Sequence, residues 1–423
     1  MSTGSSGAAA EWRAHWPLAL AALVGYSTIG LQSYGISPFV SSLEHQFGWT
    51  RSQVMLGVSV SNFTGIFLNI VIGLIVDRFG SRRVALTGLV VKAGSFALLA
   101  TATGALLNWT LLWIVLAVGV VLVQSTVWMR ALARHFDHSR GFAFAFALSG
   151  TSLMAIFLPA YATWLIQTQG WRMGFVGVGL SWLVVTLPVV FFFFREDRGP
   201  KPAAPADAPA PAATPAAALP GLTFAQGLRT RAFWLLVISF GCFSFFSMTV
   251  ATNLVPLLSE TGISAMEAAG IASIMGLVGI VVRLSVGALL DRFPGNVIGT
   301  ITLLMPVLGA SILLLDAPGA ILLSVAVAAF GAAIGAEMDV ALYLATRHFG
   351  LRAFAALFNA VITCGAMMAA IGPFVGGKLH DLTGNYDALL ATIVVVMSVG
   401  ALAMALIGRT PADFPADLES RAA

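Results

Sequence analysis

Charge is what this chain has least of. Only 9% of its 423 residues are Asp, Glu, Lys or Arg, against roughly 25% in an ordinary soluble domain. A folded surface in water has to be covered largely by polar groups, and 22 bases with 18 acids are too few for a chain this long. A soluble enzyme and a disordered protein are therefore excluded. A nucleic-acid partner is excluded too, because the formal charge of +4 reflects where the bases lie along the chain, not a basic patch. Cysteine is nearly absent: Cys242 and Cys364 sit in apolar stretches and form no CxxC pair, so both read as small packing residues. Met1 to Trp16 lacks the basic-then-apolar pattern of a cleaved leader.

Apolar residues fill the space that charge leaves. They make up 58% of the chain before its 43 glycines are counted, and mean hydropathy is +0.92. A membrane-spanning helix needs about 20 mostly apolar residues. Runs of that kind fall at 16–41, 54–76, 84–103, 107–133, 141–166 and 171–194, then at 232–258, 265–290, 296–316, 319–346, 353–377 and 385–408. The expectation is an all-α membrane protein of twelve helices in two sets of six. Between the sets, Pro200 to Pro220 is almost entirely Pro and Ala and reads as a flexible, partly extended linker. This divides the chain into a tail (1–15), a bundle (16–195), a linker (196–231), a second bundle (232–409) and a short tail (410–423).

With both termini inside, 17 of the 22 Lys and Arg fall on the cytoplasmic side, three (Arg51, Arg172, Lys378) outside, and two (Lys92, Arg283) within helices. That asymmetry is a positive-inside signal. The two sets also repeat. Gly73-Leu-Ile-Val-Asp77-Arg78-Phe79 returns as Gly287-Ala-Leu-Leu-Asp291-Arg292-Phe293, and Ala133-Arg134-His135-Phe136 as Thr346-Arg347-His348-Phe349. Arg140-Gly-Phe-Ala matches Arg352-Ala-Phe-Ala, and the three offsets are 214, 213 and 212 residues. An even number of spans per copy makes these parallel repeats.

The loop Gly73-x-x-x-Asp77-Arg78-x-Gly80-x-Arg82-Arg83 resembles the signature of the major facilitator superfamily, with a degenerate second copy at Gly287 to Arg292. Phe47-Gly-Trp-Thr-Arg-Ser-Gln53, Arg134-His-Phe-Asp137 with Arg140-Gly141, and Arg283 resemble its monocarboxylate and oxalate/formate transporter group. The resemblance implies a monomeric secondary transporter in the cytoplasmic (inner) membrane, working by alternating access without a cofactor. It also implies that Gly73, Asp77, Arg78, Gly80, Arg82, Arg83, Asp291 and Arg292 form gating latches between the halves. Asp77 sits at a helix C-terminus, where the dipole disfavours an anion, so it needs cations beside it; Arg82 and Arg83 also fit a plain topology signal.

Arg283 lies nine residues before Arg292, about 13 Å along a helix and so near the middle of a core about 30 Å thick. An arginine there needs a cavity or a partner. One reading, which the resemblance implies, is a binding site for a substrate carboxylate, and its planar fork suits that role; the other is a structural pair with an acid on the tenth helix. That helix offers Glu337 and Asp339, which point about 200° apart. Asp339 shares a stripe with Tyr343 and is the first choice as proton carrier, with Glu337 second. The repeat maps Asp339 and Tyr343 onto Thr126 and Arg130.

Further substrate-binding candidates are Gln32 and Tyr34 on the first helix, Gln124 and Arg130 on the fourth, and Asn253 on the seventh, with Tyr26 and Ser149 behind them. Each also fits helix–helix hydrogen bonding. Lys92, on a helix peripheral in this fold, is expected to snorkel. His135 and His138 read as a solvated pair, and most of the ten Trp and 29 Phe as lipid-facing bulk. One deep arginine in the second half favours a small organic monocarboxylate moved with a proton. Organic-anion exchange and efflux of apolar compounds are the alternatives. No nucleophile–base pair or metal cluster falls within the spans, and the phosphate loop GxxxxGK[ST] of an ATP-driven pump is missing.

Overall fold

The computed structural model describes residues 3–136, 138–195, 221–290, 292–315, 318–350 and 352–408. Twelve membrane-length helical segments account for nearly all of them, and no strand is present among the described residues. α1 runs from Thr3–Ser27 through Gly30–Gly35, Ser37–Phe39 and Val40–Phe47, so it begins inside the segment expected as a tail. α2 is Arg51–Phe79, α3 Ser81–Leu98 with a last turn to Thr101, and α4 Leu106–Leu122 followed by Ser125–His135. α5 and α6 lie within 140–193 and divide at Gly170, whose φ of 81° and ψ of 164° end one helix and begin the next. α7 is Arg231–Ser259, α8 Ala265–Leu290, α9 Gly295–Leu313, α10 Ala320–Phe349, α11 Phe354–Thr383 and α12 Asp387–Leu406. The sixfold doubling expected from the repeat is what folds.

Sequence chemistry sets the helix ends. α2 starts on a capping box, in which Thr50 and Gln53 satisfy each other's backbone amides. It stops at Gly80, whose φ of 81° admits glycine readily and side chains rarely. α8 is started by Ser264 and Glu267 in the same reciprocal way. The helices alternate in direction. The end of α1, the start of α2 and the ends of α7 and α11 meet at one pole, termed the distal end, where Arg51 touches both Glu44 and Glu260. The start of α1 and the α4–α5 connection meet at the opposite, termini end, where Glu11 accepts from the His138 and Ser139 amides.

α1–α6 form one half and α7–α12 the other. They join along α2 with α11 and α5 with α8. Small residues make that approach possible: Gly377 on α11 faces the Ser52 backbone, and Gly276 on α8 faces the Ser152 carbonyl and the Ile156 amide. Packing of this kind supplies most of the association between helices in lipid. Several large aromatics point inward, contrary to the lipid-facing expectation. Trp109, Trp113 and Trp128 are fully buried in the first half, because glycines such as Gly57 beside Trp113 and Gly25 beside Trp128 leave room for the indoles.

Candidate functional site

Three helices break near mid-span, and the candidate site gathers around those breaks. α1 is interrupted at Thr28 and Ile29, α4 at Val123 and Gln124, and α5 at Ser149. The Gln124 backbone is extended (ψ 159°), and the Trp128 indole donates to the Val123 carbonyl at 2.9 Å. Irregular backbone at membrane depth is tolerated where protein groups or a cavity satisfy it. At the α5 break the Leu148 carbonyl accepts from the Thr151 hydroxyl at 3.1 Å and from Arg283 Nη1, across the junction of the halves, at 3.0 Å.

Arg283 is thus the central cation. Its side chain is 9% exposed and its Nε lies 3.7 Å from Asp339 Oδ2. That distance makes an ion pair and not a hydrogen bond, and neither Nε nor Oδ2 has a hydrogen-bonding partner among the described residues. Nη2 reaches the Ile334 carbonyl at a long 3.5 Å. The fork is therefore held in place but only partly used. Tyr26 and Tyr34 on α1 lie within range of its charge. Of the two acids on α10, Asp339 is the one that meets Arg283, and it keeps 27% of its side chain exposed. Glu337 is fully buried, and neither of its carboxyl oxygens has a partner.

On the opposite wall the first half carries a polar cluster. Gln32 Nε2 donates to Asn62 Oδ1 at 2.6 Å, and Gln32 Oε1 accepts from Lys92 Nζ at 3.3 Å and Ser61 Oγ at 3.4 Å. This corrects the expectation that Lys92 snorkels, for it is 0% exposed. Gly119 on α4 packs directly against the Lys92 backbone, so α3 lies too close to α4 for the side chain to turn outward. Along the inner face of α2, burial falls from Met55 (0% exposed) to half-buried Asn62 and exposed Asn69. Thr126, the repeat partner of Asp339, is exposed, while Gln124 and Arg130 are half-buried.

Other candidates are placed elsewhere. Asn253 is fully buried, with Nδ2 donating to the Thr249 carbonyl at 2.9 Å and Oδ1 accepting from the Tyr386 hydroxyl at 3.2 Å. Its amide joins α7 to α12, which removes it from the substrate-binding set. Tyr343 does not extend the Asp339 stripe toward Arg283. Its ring rests against Gly295 at the head of α9 and under Arg347, because α10 is wedged between α8 and α9. The Ser149 hydroxyl turns back onto the Ala145 carbonyl. His135 bonds the Ala131 carbonyl and packs on His15. Of the expected latch, Arg82 donates to the Phe191 carbonyl of its own half at 2.8 Å, Arg78 lies over the Phe79 ring, and Arg83 and Arg292 are exposed. Gly73 lies within α2, while the side chain of Asp77 and the whole of Asp291 lie outside the described residues.

The distal end holds a network that sequence reading missed. Arg51 bonds Glu44 of its own half and Glu260 of the other, each at 2.7 Å, with its side chain 8% exposed. His380 Nε2 lies 2.8 Å from the same Glu260 oxygen. Asp381 of α11 accepts from the Arg51 and Ser52 amides at 2.8 and 3.1 Å. It caps the N-terminus of α2 from the opposite half, where the helix dipole favours a carboxylate. Tyr386 supports the guanidinium from 5.1 Å, and the Val255 amide donates to Ser37 Oγ at 3.0 Å. The only sequence signal was that Arg51, Glu260 and Asp381 all sit at helix ends, in segments far apart in the chain. The halves are closed at this pole.

Residues 22–373 match the model of the Major Facilitator Superfamily, and the chain belongs to that family. It is a multi-pass membrane transporter of small molecules. It is 24% identical over 382 residues to monocarboxylate transporter 13 of Rattus norvegicus, covering 85% of this chain and 80% of that protein. A stretch of 146 residues is 28% identical to the multidrug resistance protein MdtH of Photorhabdus laumondii, covering 34% of this chain and 36% of the relative. Among solved structures, a D-xylose–proton symporter superposes with a TM-score of 0.72 at 14% identity, covering 95% of this chain and 99% of that one. The nucleoside transporter NupG follows at 0.69 and 13%, covering 93% of this chain and 100% of that chain. These likenesses establish the fold.

Proposed function

We propose that the protein is a proton-coupled carrier of small organic monocarboxylates, acting as a monomer in the cytoplasmic membrane with the termini end facing the cytoplasm. The bias of 17 cytoplasmic against three external basic residues supports that orientation. The domain division proposed is two six-helix bundles tied by the linker 196–231. The observation that carries the function is the loose Arg283–Asp339 pair, 3.7 Å apart, with the Asp339 side chain 27% exposed. A guanidinium with an unused edge is suited to a planar carboxylate. The match along most of the chain to a monocarboxylate transporter supports the same reading.

In the proposed cycle a substrate carboxylate takes the free edge of Arg283 and displaces Asp339. An acid that loses its counter-charge in a low-dielectric site is stabilised by a proton. The loaded site is then neutral overall, and the halves rock past one another. That step breaks the Arg51–Glu260 and Asp381 contacts at the distal end. Glu337, buried two residues away, is the second proton carrier considered.

The test is uptake of a labelled carboxylate panel into proteoliposomes, with and without an imposed proton gradient, for the unmodified protein and Arg283→Gln. Uptake driven by protons and lost in the variant supports symport. Transport that needs an internal counter-anion and ignores pH replaces symport with exchange. No carboxylate uptake at all overturns the substrate class.

A further inference from the structure

The polar cluster of the first half has a fixed direction. Lys92 is fully buried, and its amine reaches the Gln32 amide. Gln32 presents Oε1 to Nζ, at 3.3 Å, and turns its NH2 toward Asn62. Asn62 in turn must present Oδ1 to that NH2, at 2.6 Å. The run Lys92 → Gln32 → Asn62 thus ends on the Asn62 NH2, which is buried and has no acceptor among the described residues.

A buried donor left without an acceptor costs free energy, so the arrangement is explained if something else brings the acceptor. Asn62 shares an α2 face with Asn69, which is exposed seven residues nearer the termini end. Gln32 lies on α1 between Tyr26 and Tyr34, both within range of the Arg283 charge. No carboxylate contacts Lys92 among the described residues; its hydrogen-bonding partner is the neutral Gln32.

We infer that the Asn62 amide, held in place by Lys92 through Gln32, is a second substrate contact in the first half, donating its NH2 to a hydroxyl or carbonyl oxygen of the organic acid whose carboxylate sits at Arg283. The substrates favoured are hydroxy- and oxo-acids over their unsubstituted counterparts. This rests on the carboxylate reading proposed above. Asn62 touches the substrate, and Lys92 is a positioning residue that holds the Gln32 amide.

The experiment measures KM and kcat in proteoliposomes for two matched pairs, lactate with propionate and 3-hydroxybutyrate with butyrate. The proteins are the unmodified chain, Asn62→Leu, Lys92→Met and Arg283→Gln. The readout is the KM of the plain acid divided by that of its hydroxy partner, a ratio independent of how much protein folds. We expect a ratio of about ten in the unmodified protein and a fall to near one in both Asn62→Leu and Lys92→Met, the size of one buried hydrogen bond. If Lys92→Met yields no protein, Asn62→Leu decides alone. A ratio near one in the unmodified protein, or a ratio unmoved in the variants while both acids lose transport equally, overturns the inference and leaves the carboxylate reading standing. Absence of carboxylate uptake by the unmodified protein overturns both.

Discussion

Arg51 and Glu260 meet at 2.7 Å across the junction of the two halves, with only 8% of the arginine side chain exposed. Glu44, His380 and Asp381 gather at the same point, so one guanidinium and the N-terminus of α2 hold the distal end shut. Removing one partner of a half-desolvated charge pair leaves the other uncompensated.

Arg51→Gln is therefore expected to shift the protein toward distal opening. The readout is labelling of a single cysteine at Ser37→Cys, in a Cys242→Ala and Cys364→Ala background, by an impermeant maleimide applied from the distal side. The rate should rise at least tenfold, corresponding to about 1.4 kcal/mol. Glu260→Gln should act in the same direction, and an unchanged rate for both variants would show that the network does not hold the gate.

Arg283→Lys keeps the charge but loses the fork. Uptake kcat/KM should fall by about tenfold or more, and Arg283→Gln should abolish uptake. Equal activity in Arg283→Lys and the unmodified protein would mean that Arg283 acts as a point charge and not as a bidentate ligand.

Asp339→Asn separates coupling from binding. Counterflow of substrate between equal concentrations should persist, while stimulation of uptake by an inward proton gradient disappears. If Glu337→Gln loses the stimulation and Asp339→Asn retains it, Glu337 carries the proton.

Asn253→Leu should lower thermal stability in detergent by about 1 kcal/mol, through loss of its bond to Tyr386. KM should stay within twofold of the unmodified protein. A large rise in KM would return Asn253 to the substrate site.

Gly276→Val places a side chain against the Ser152 carbonyl and the Ile156 amide. These are backbone atoms that cannot swing aside, so α5 and α8 must separate at a cost of about 1–3 kcal/mol. A lower melting temperature, together with faster distal labelling of Ser37→Cys, is the expected pair of readouts.

Twelve apolar runs, the basic bias of alternate connections and the offset of about 213 residues between repeats determined by themselves a membrane protein with two related halves. They could do so because span length, charge sidedness and duplication are properties of the chain read in one dimension. The depth of Arg283 was legible for the same reason: a helix turns residue number into distance. What faces what was decided only by tertiary structure. Asp339 and Glu337 are two residues apart, yet packing turned one to Arg283 and buried the other without a partner. Lys92 was expected at a lipid-facing surface, and the close α3–α4 contact at Gly119 turned it inward to Gln32. The gate at Arg51 joins residues 209 and 330 positions away. No periodicity encodes such a meeting, because it exists only once both bundles have folded and docked.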